Sequence, residues 1–381
     1  MRSLIKCNLL TLMLILSLSH AASADDFDDG LVAAQRGEFS TALRLWTPLA
    51  ELGNLDAQFN LGLIYANGRG VAQDYKAAVK WYTLAAEQGN SLAQFNLGTM
   101  YLNGDGVAQD YTTAVKWFTL AAEQGMGAAQ YNLGQIYREG EVVTQDYKAA
   151  VKWYTLAAEQ GFAQAQSNLG MMYEKGDGVL QDYSTAFKWY KLAAEQGYPS
   201  ALVNLGIMSE KGQGVFKDYQ AAVQWYTLAA VQGYASAQYN LGQMYREGKG
   251  VAQDYQAAVQ WYTLAAVQGD ALAQYLLGVM YHEGQGVAQD YKAAFKWLKL
   301  SAEQGVALAQ EYIGIMYAIG NGITTDYVIA HMWINLAGIN GGSTTVVPNR
   351  DAVAKLMTPA QIAQAQEAAS RCIKQNFKNC D

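Results

Sequence analysis

The chain has 381 residues, of which 51% are hydrophobic and 15% charged, with a formal net charge of −7. That apolar content excludes an intrinsically disordered chain. The acidic balance argues against a nucleic-acid binder, which needs clustered Lys and Arg to neutralise phosphates.

Residues 1–24 read as a secretory signal peptide. Arg2 and Lys6 make a basic start, Leu9 to Leu18 form an apolar run too short to span a bilayer, and Ala22-Ser23-Ala24 is a small-x-small cleavage pattern. Cys7 comes too early, and lacks the preceding small residues, for a lipoprotein acceptor. Cleavage before Asp25 gives a periplasmic or secreted protein with no other segment suited to crossing a membrane. It leaves 24 basic against 33 acidic residues, a net charge of −9.

Residues 25–53 read as a shortened helix pair that caps the N-terminal end, with Gly37-Glu38-Phe39 as its turn and Trp46 in its second helix. From there a strict period takes over. Trp81, Trp117, Trp153, Trp189, Trp225, Trp261, Trp297 and Trp333 are 36 residues apart, and Trp46 falls one residue short of the same step. A rare residue held to one period marks an internal repeat of solenoid type. The blocks are 54–89, 90–125, 126–161, 162–197, 198–233, 234–269, 270–305 and 306–341.

Within the block 90–125, Ala93, Leu97, Met100 and Tyr101 are spaced as one face of a helix. Gly104 supplies the left-handed residue that ends it. Asp110 is placed to cap a second helix that carries Ala114, Val115, Trp117, Phe118, Leu120 and Ala121 and stops at Gly125. Small Ala residues let the helices approach, and Trp and Tyr are expected to fill the space between them. The chain is therefore read as all-α, a solenoid of eight 36-residue helix pairs with a cap at each end.

The string A-Q-x-N-L-G-x-M-Y-x-x-G-x-G-V-x-Q-D-Y-x-x-A-x-x-W-Y-x-L-A-A-E-Q-G, repeated from Asn54 to Gly341, resembles the Sel-1-like repeat, a relative of the tetratricopeptide repeat. The resemblance implies a right-handed α/α superhelix that serves as an interaction scaffold. For bacterial members it implies export and a part in envelope signalling, assembly or host contact. It brings no shared catalytic residues. Some copies depart from the string: Val142 replaces a loop glycine, Ser209 a helix tyrosine, Leu202 a glutamine, Pro199 enters the fifth block, and Tyr312-Ile313 stand for Asn-Leu. Residues 342–381 read as a loop, GGSTTVVPN, then a helix opened by Thr358-Pro359-Ala360-Gln361 and running to about Lys374. Cys372 and Cys380, the two cysteines of the exported chain, are expected to form one disulfide.

No catalytic, cofactor or metal site emerges. The G-x-G-V loops follow no strand and lack a third glycine, so they read as turns. Asn103-Gly104-Asp105-Gly106 lacks the alternating oxygens and distal Glu of a calcium loop. His282 and His331 have no Cys or His at metal spacing, and His331 sits where other blocks have Val or Phe. Glu87, Glu123, Glu159 and Glu195 share one position and read as a solvated face. Asn60, Asn96, Asn132, Asn168, Asn204 and Asn240 form a ladder that suits either a peptide-binding groove or bonds to neighbouring helices.

Positions 6, 10 and 13 of the blocks vary, and at 100° per residue they lie on one stripe of the first helix. The binding candidates fall there: Phe59, Phe95, Tyr131, Arg138, Tyr239, Arg246, Tyr275 and His282. Tyr and Arg are enriched at binding hot spots. The position-6 aromatics serve equally well to pack the next repeat. Outer positions of the second helix, such as Lys80, Thr83 and Glu87, read as a solvated face. The function expected is a non-enzymatic exported scaffold for a protein or peptide, without cofactor or nucleic acid. Two other readings stay open. One is a cell-wall or β-lactam hydrolase, although the paired cysteines of each repeat in relatives linked to that activity are absent. The other is a carbohydrate-binding subunit of an envelope machine. N-terminal sequencing of the exported protein is expected to begin at Asp25; a cytosolic chain retaining Met1 would rule out the signal peptide.

Overall fold

The computed structural model describes residues 24–141, 143–378 and 380. The signal segment up to residue 23 and Val142 lie outside the described residues. Those described form twenty α-helices and no strand. The N-terminal pair is α1 (Ala24–Gln35) and α2 (Phe39–Glu51). The repeats give α3 (Leu55–Asn67) with α4 (Tyr75–Glu87), α5 (Ser91–Asn103) with α6 (Tyr111–Glu123), α7 (Gly127–Glu139) with α8 (Tyr147–Glu159), and α9 (Ala163–Lys175) with α10 (Tyr183–Glu195). There follow α11 (Pro199–Lys211) with α12 (Tyr219–Ala230), α13 (Ala235–Glu247) with α14 (Tyr255–Val267), α15 (Ala271–Glu283) with α16 (Tyr291–Ala302), and α17 (Ala307–Ile319) with α18 (Tyr327–Ile339). The chain closes with α19 (Val346–Ala354) and α20 (Pro359–Lys374).

Two compact units divide the array. The first runs through Leu169 and includes Asp177–Leu180; the second comprises Gly170–Gly176 and everything from Gln181 onward. Within each, helices pack in chain order, from α1 on α2 to α7 on α8 and from α10 on α11 to α17 on α18.

The helix boundaries follow from capping chemistry. Asp74, Asp110, Asp146, Asp182, Asp218, Asp254, Asp290 and Asp326 each accept backbone N–H bonds at the start of a second helix. At the end of the first helix a glycine such as Gly104 (φ 81°) turns left-handed. Segment 346–354 is a helix where a loop is expected. Pro348 sits in its first turn, where the missing N–H has no intrahelical partner to lose. Thr358 and Gln361 then form the expected capping box.

The core is built on the residue after each tryptophan. Tyr82, Phe118, Tyr154, Tyr190, Tyr226, Tyr262, Leu298 and Ile334 are fully buried. Each lies against a glycine of its own first helix: a Cβ on Gly62 would come 2.5 Å from the Tyr82 ring, and one on Gly206 2.4 Å from Tyr226. No other residue admits a ring that close. The tryptophans were expected to be this interior and are only partly so. Trp46 and Trp333 are fully buried, Trp81 and Trp153 nearly so, and Trp117, Trp189, Trp225, Trp261 and Trp297 are half-buried. The Lys before a tryptophan lies over its ring in four repeats, as Lys80 does 4.9 Å from the Trp81 centroid.

Buried glutamines join neighbouring pairs. Gln58, Gln94, Gln130 and Gln166 in the first unit, and Gln238, Gln274 and Gln310 in the second, donate to a carbonyl at the end of the preceding second helix, at 2.9–3.1 Å. Most also accept from the last glutamine of their own repeat, as Gln94 does from Gln124 at 2.8 Å. At the C-terminal end the Glu311 carboxylate, buried, accepts from Ser343 Oγ, Thr345 Oγ1 and Asn349 Nδ2 and so ties α17 to the start of α19. Cys372 and Cys380 form a disulfide with Cα atoms 5.0 Å apart.

Because Tyr190 is enclosed and Trp189 is not, Tyr190→Ala is expected to cost about 3–5 kcal/mol and Trp189→Ala distinctly less; chemical denaturation measures both, and the reverse order would contradict this core. A second expectation concerns His331, which is 4% exposed with Nδ1 unpartnered. Burial, then the Arg350 charge, holds its pKa below the ordinary 6.5. Below that value the unfolded chain binds a proton that the folded chain resists, so stability is full above pH 6.5 and declines on acidification. His331→Val, the residue type of the equivalent Val79, is expected to weaken that acid sensitivity in paired denaturation curves at neutral and mildly acidic pH; an unchanged difference would discount the histidine.

Candidate functional site

The first-helix stripe at positions 6, 10 and 13 is less open than its variability implies. Phe95, Val203 and Glu311 are buried, and Phe59, Tyr131, Arg138, Tyr239, Arg246, Tyr275 and His282 are half-buried. Four of the position-6 rings pack on the buried ring of their own second helix: Phe59 on Tyr82, Phe95 on Phe118, Tyr131 on Tyr154 and Tyr239 on Tyr262, at 5.6–6.0 Å between centroids. Position 6 therefore contributes to packing inside the repeat. The rest of each ring is what remains to meet a ligand.

Position 13 controls the polar end of the same buried tyrosine. Glu174 accepts a bond from the Tyr190 hydroxyl at 2.7 Å, and Glu210 one from Tyr226 at 3.1 Å. Burial first, then the adjacent carboxylate, pushes both phenols far above their ordinary range. In the third and sixth repeats arginine takes the position. Arg138 turns to Glu139 at 2.8 Å and Arg246 to Glu247 at 3.3 Å, and Glu247 also holds Lys249 at 2.6 Å. Each arginine thus already carries a neighbouring carboxylate. Such half-exposed pairs contribute only about 0–1 kcal/mol, so a better-placed carboxylate can displace them.

In the second unit the expected residues gather. Tyr239 and Tyr275 both feel the charge of Arg246. Tyr275 lies 6.0 Å from Tyr312, edge-on, and His282 lies 5.9 Å from Tyr312 and 5.1 Å from Tyr291. Burial, then the neighbouring Tyr312, pushes the Tyr275 hydroxyl up to about 12, so it stays a hydrogen-bond donor at every physiological pH. Tyr312 was not singled out as a contact residue. Its signal was its departure from the Asn-Leu pair of other repeats.

The asparagine ladder faces inward. Asn60 and Asn132 are buried, and Asn96, Asn168, Asn204 and Asn240 are half-buried. Asn96 approaches the Tyr82 hydroxyl, and Asn168 that of Tyr154, near enough to perturb each phenol but without the geometry of a formed bond. Asn96 and Asn168 thus stand at the seam between their own repeat and the one before it. Among the described residues no group of three or more His, Cys, Asp or Glu is placed to hold a metal ion. No described helix is long and apolar enough to cross a membrane.

The family model described as Sel1 repeat matches residues 55–90, 91–126, 127–162, 163–198, 199–234, 235–270, 271–306 and 307–341, each beginning one residue later than the blocks set by the tryptophans. A Sel1 repeat protein from Oxalobacter formigenes of known structure is 32% identical, over 88% of this chain and 96% of its own, with a TM-score of 0.67. The structure of c5321, described as a protective antigen present in uropathogenic Escherichia coli strains displaying an SLR fold, is also 32% identical, over 94% of this chain and 93% of its own, with a TM-score of 0.54. No curated protein gives a significant match. The tandem helix pairs, the capping and glycine pattern, and these similarities together establish that the chain belongs to the Sel1 repeat family, whose members are typically non-enzymatic scaffolds for protein interaction.

Proposed function

We propose that this protein is an exported, non-enzymatic adaptor that binds a protein or peptide through the first-helix stripe, in envelope signalling, assembly or host contact. The carrying observation is the second-unit cluster of Tyr239, Arg246, Tyr275, His282 and Tyr312. It combines rings held by packing on one side with a cation whose present partner is weakly bound. Rings already restrained lose little freedom when a ligand lands on them. A peptide carboxylate replacing Glu247 at Arg246 gains a two-pronged contact that lysine could not give. The export reading rests on the basic start, apolar run and Ala-Ser-Ala site at the N-terminus. The similar protein described as a protective antigen is compatible with that address.

The test is capture of partners from envelope extract on immobilised protein beginning at Asp25, read by mass spectrometry. Arg246→Ala combined with His282→Ala is expected to abolish capture with little change in melting, since both side chains are half-exposed. The second-helix control, Lys80→Ala with Lys152→Ala, is expected to retain it. Loss in the control with retention in the stripe variant would move the recognition surface elsewhere.

A further inference from the structure

The second helices of the fifth and sixth repeats carry the same fifteen residues, YQAAVQWYTLAAVQG at 219–233 and 255–269, without one charged side chain. In the first and third repeats the same segment, at 75–89 and 147–161, reads YKAAVKWYTLAAEQG. Three positions account for the whole difference: Lys gives way to Gln twice, and Glu to Val once. All three face solvent. Gln220, Gln224, Gln256 and Gln260 are exposed, and Val231 and Val267 are 68% and 65% exposed. The buried residues of these helices, such as Ala222 and Tyr226, are those of the other repeats. Only the outer surface has been changed, and only by removing charge.

We propose that this bare face of α12 and α14 is where a second copy of the chain docks, antiparallel across a two-fold axis. Depletion of charge is what distinguishes the centre of an interface from ordinary surface. Leu228 and Val231 in one repeat and Leu264 and Val267 in the next, all exposed, give the face its apolar area, a few hundred Å² on the order of a single functional patch. Two copies meeting there, with the exposed glutamines at the margin, reach the roughly 1,000 Å² that a specific interface needs.

Charge selects a copy of this chain as the occupant. An acidic protein meets itself most easily where both faces are neutral. On either side of the bare face, second helices carry Lys in their N-terminal half and Glu at or just past their end: Lys188 and Glu195 in α10, Lys296 in α16 and Glu303 as its C-cap. Antiparallel pairing lays α12 on its counterpart and α14 on its counterpart, and sets each flanking Lys opposite a Glu of the other copy. Parallel pairing would set Lys188 level with Lys296. The contact is self-complementary and closed, as a two-fold dimer requires.

The test is the solution mass of protein beginning at Asp25, by sedimentation across a concentration series. The wild type is expected to reach twice the monomer mass. Val231→Glu with Val267→Glu restores the residue that five other repeats carry at this position, so the fold tolerates it; this variant is expected to stay monomeric with unchanged helicity and melting. Glu87→Val, an apolar change at the same position outside the face, is expected to leave the dimer intact. A wild type monomeric throughout the series, or a double variant that still dimerises, would overturn the proposal. Recruitment of a different protein to this face by the monomer would overturn it equally.

Discussion

In seven of the eight repeats a buried glutamine amide links the helix pair to the one before it. The last carbonyls of a second helix lie beyond its internal ladder; the one the glutamine meets accepts the N–H of the turn glycine, as Ala86 does from Gly89, and has a second lone pair left to satisfy. The first helix of the next repeat answers with its glutamine, as Gln94 does for Ala86, and the oxygen of that glutamine takes the amide of Gln124. One side chain thus satisfies both helices of its own pair and the end of the previous one. The eight-residue spacing between that carbonyl and the glutamine is the same at every such joint, so the turn between repeats keeps one length. Apolar burial supplies the bulk of the stability in such an array, but burial is indifferent to register. The directional bond is what fixes it.

The glycine beneath each buried ring works at right angles to that seam. It draws the two helices of a repeat together until Tyr82 rests on the backbone at Gly62. In two repeats the hydroxyl of the equivalent tyrosine bonds the position-13 carboxylate, Tyr190 to Glu174 and Tyr226 to Glu210, and arginine takes that position in two others. The proposed recognition stripe is therefore the polar rim of the core, and its residues take part in packing first. That packing explains why they are half-buried.

Most of the architecture was legible in the sequence, because a period in tryptophan, glycine and aspartate reports caps and turns directly. Asp110 and Gly104 behave as their chemistry requires. What the period could not reveal was depth. Trp189 and Tyr190 repeat equally strictly, yet only the second is enclosed, since enclosure depends on which faces the helix-opposite glycine. Variability misled in the same manner. Tyr131 and Tyr239 occupy a varied stripe and still pack on their own repeats. The segment 346–354 was hidden by Pro348 and by Gly341 and Gly342 just before it, which mark a loop in isolation, yet the proline fits the first turn of a helix that packs on α18.

The fifth repeat departs from the glutamine rule. Leu202 stands at the linking position, 2% exposed, and Gln232 turns back to the Leu228 carbonyl of its own helix. An apolar contact resists separation without resisting rotation. Between α10 and α11 the linkage is therefore a bearing, where other joints of the same unit are pins. A turn of α11 against α10 therefore meets no directional side-chain bond from position 202, whereas the glutamine bonds between α12 and α13, α14 and α15, and α16 and α17 would oppose it.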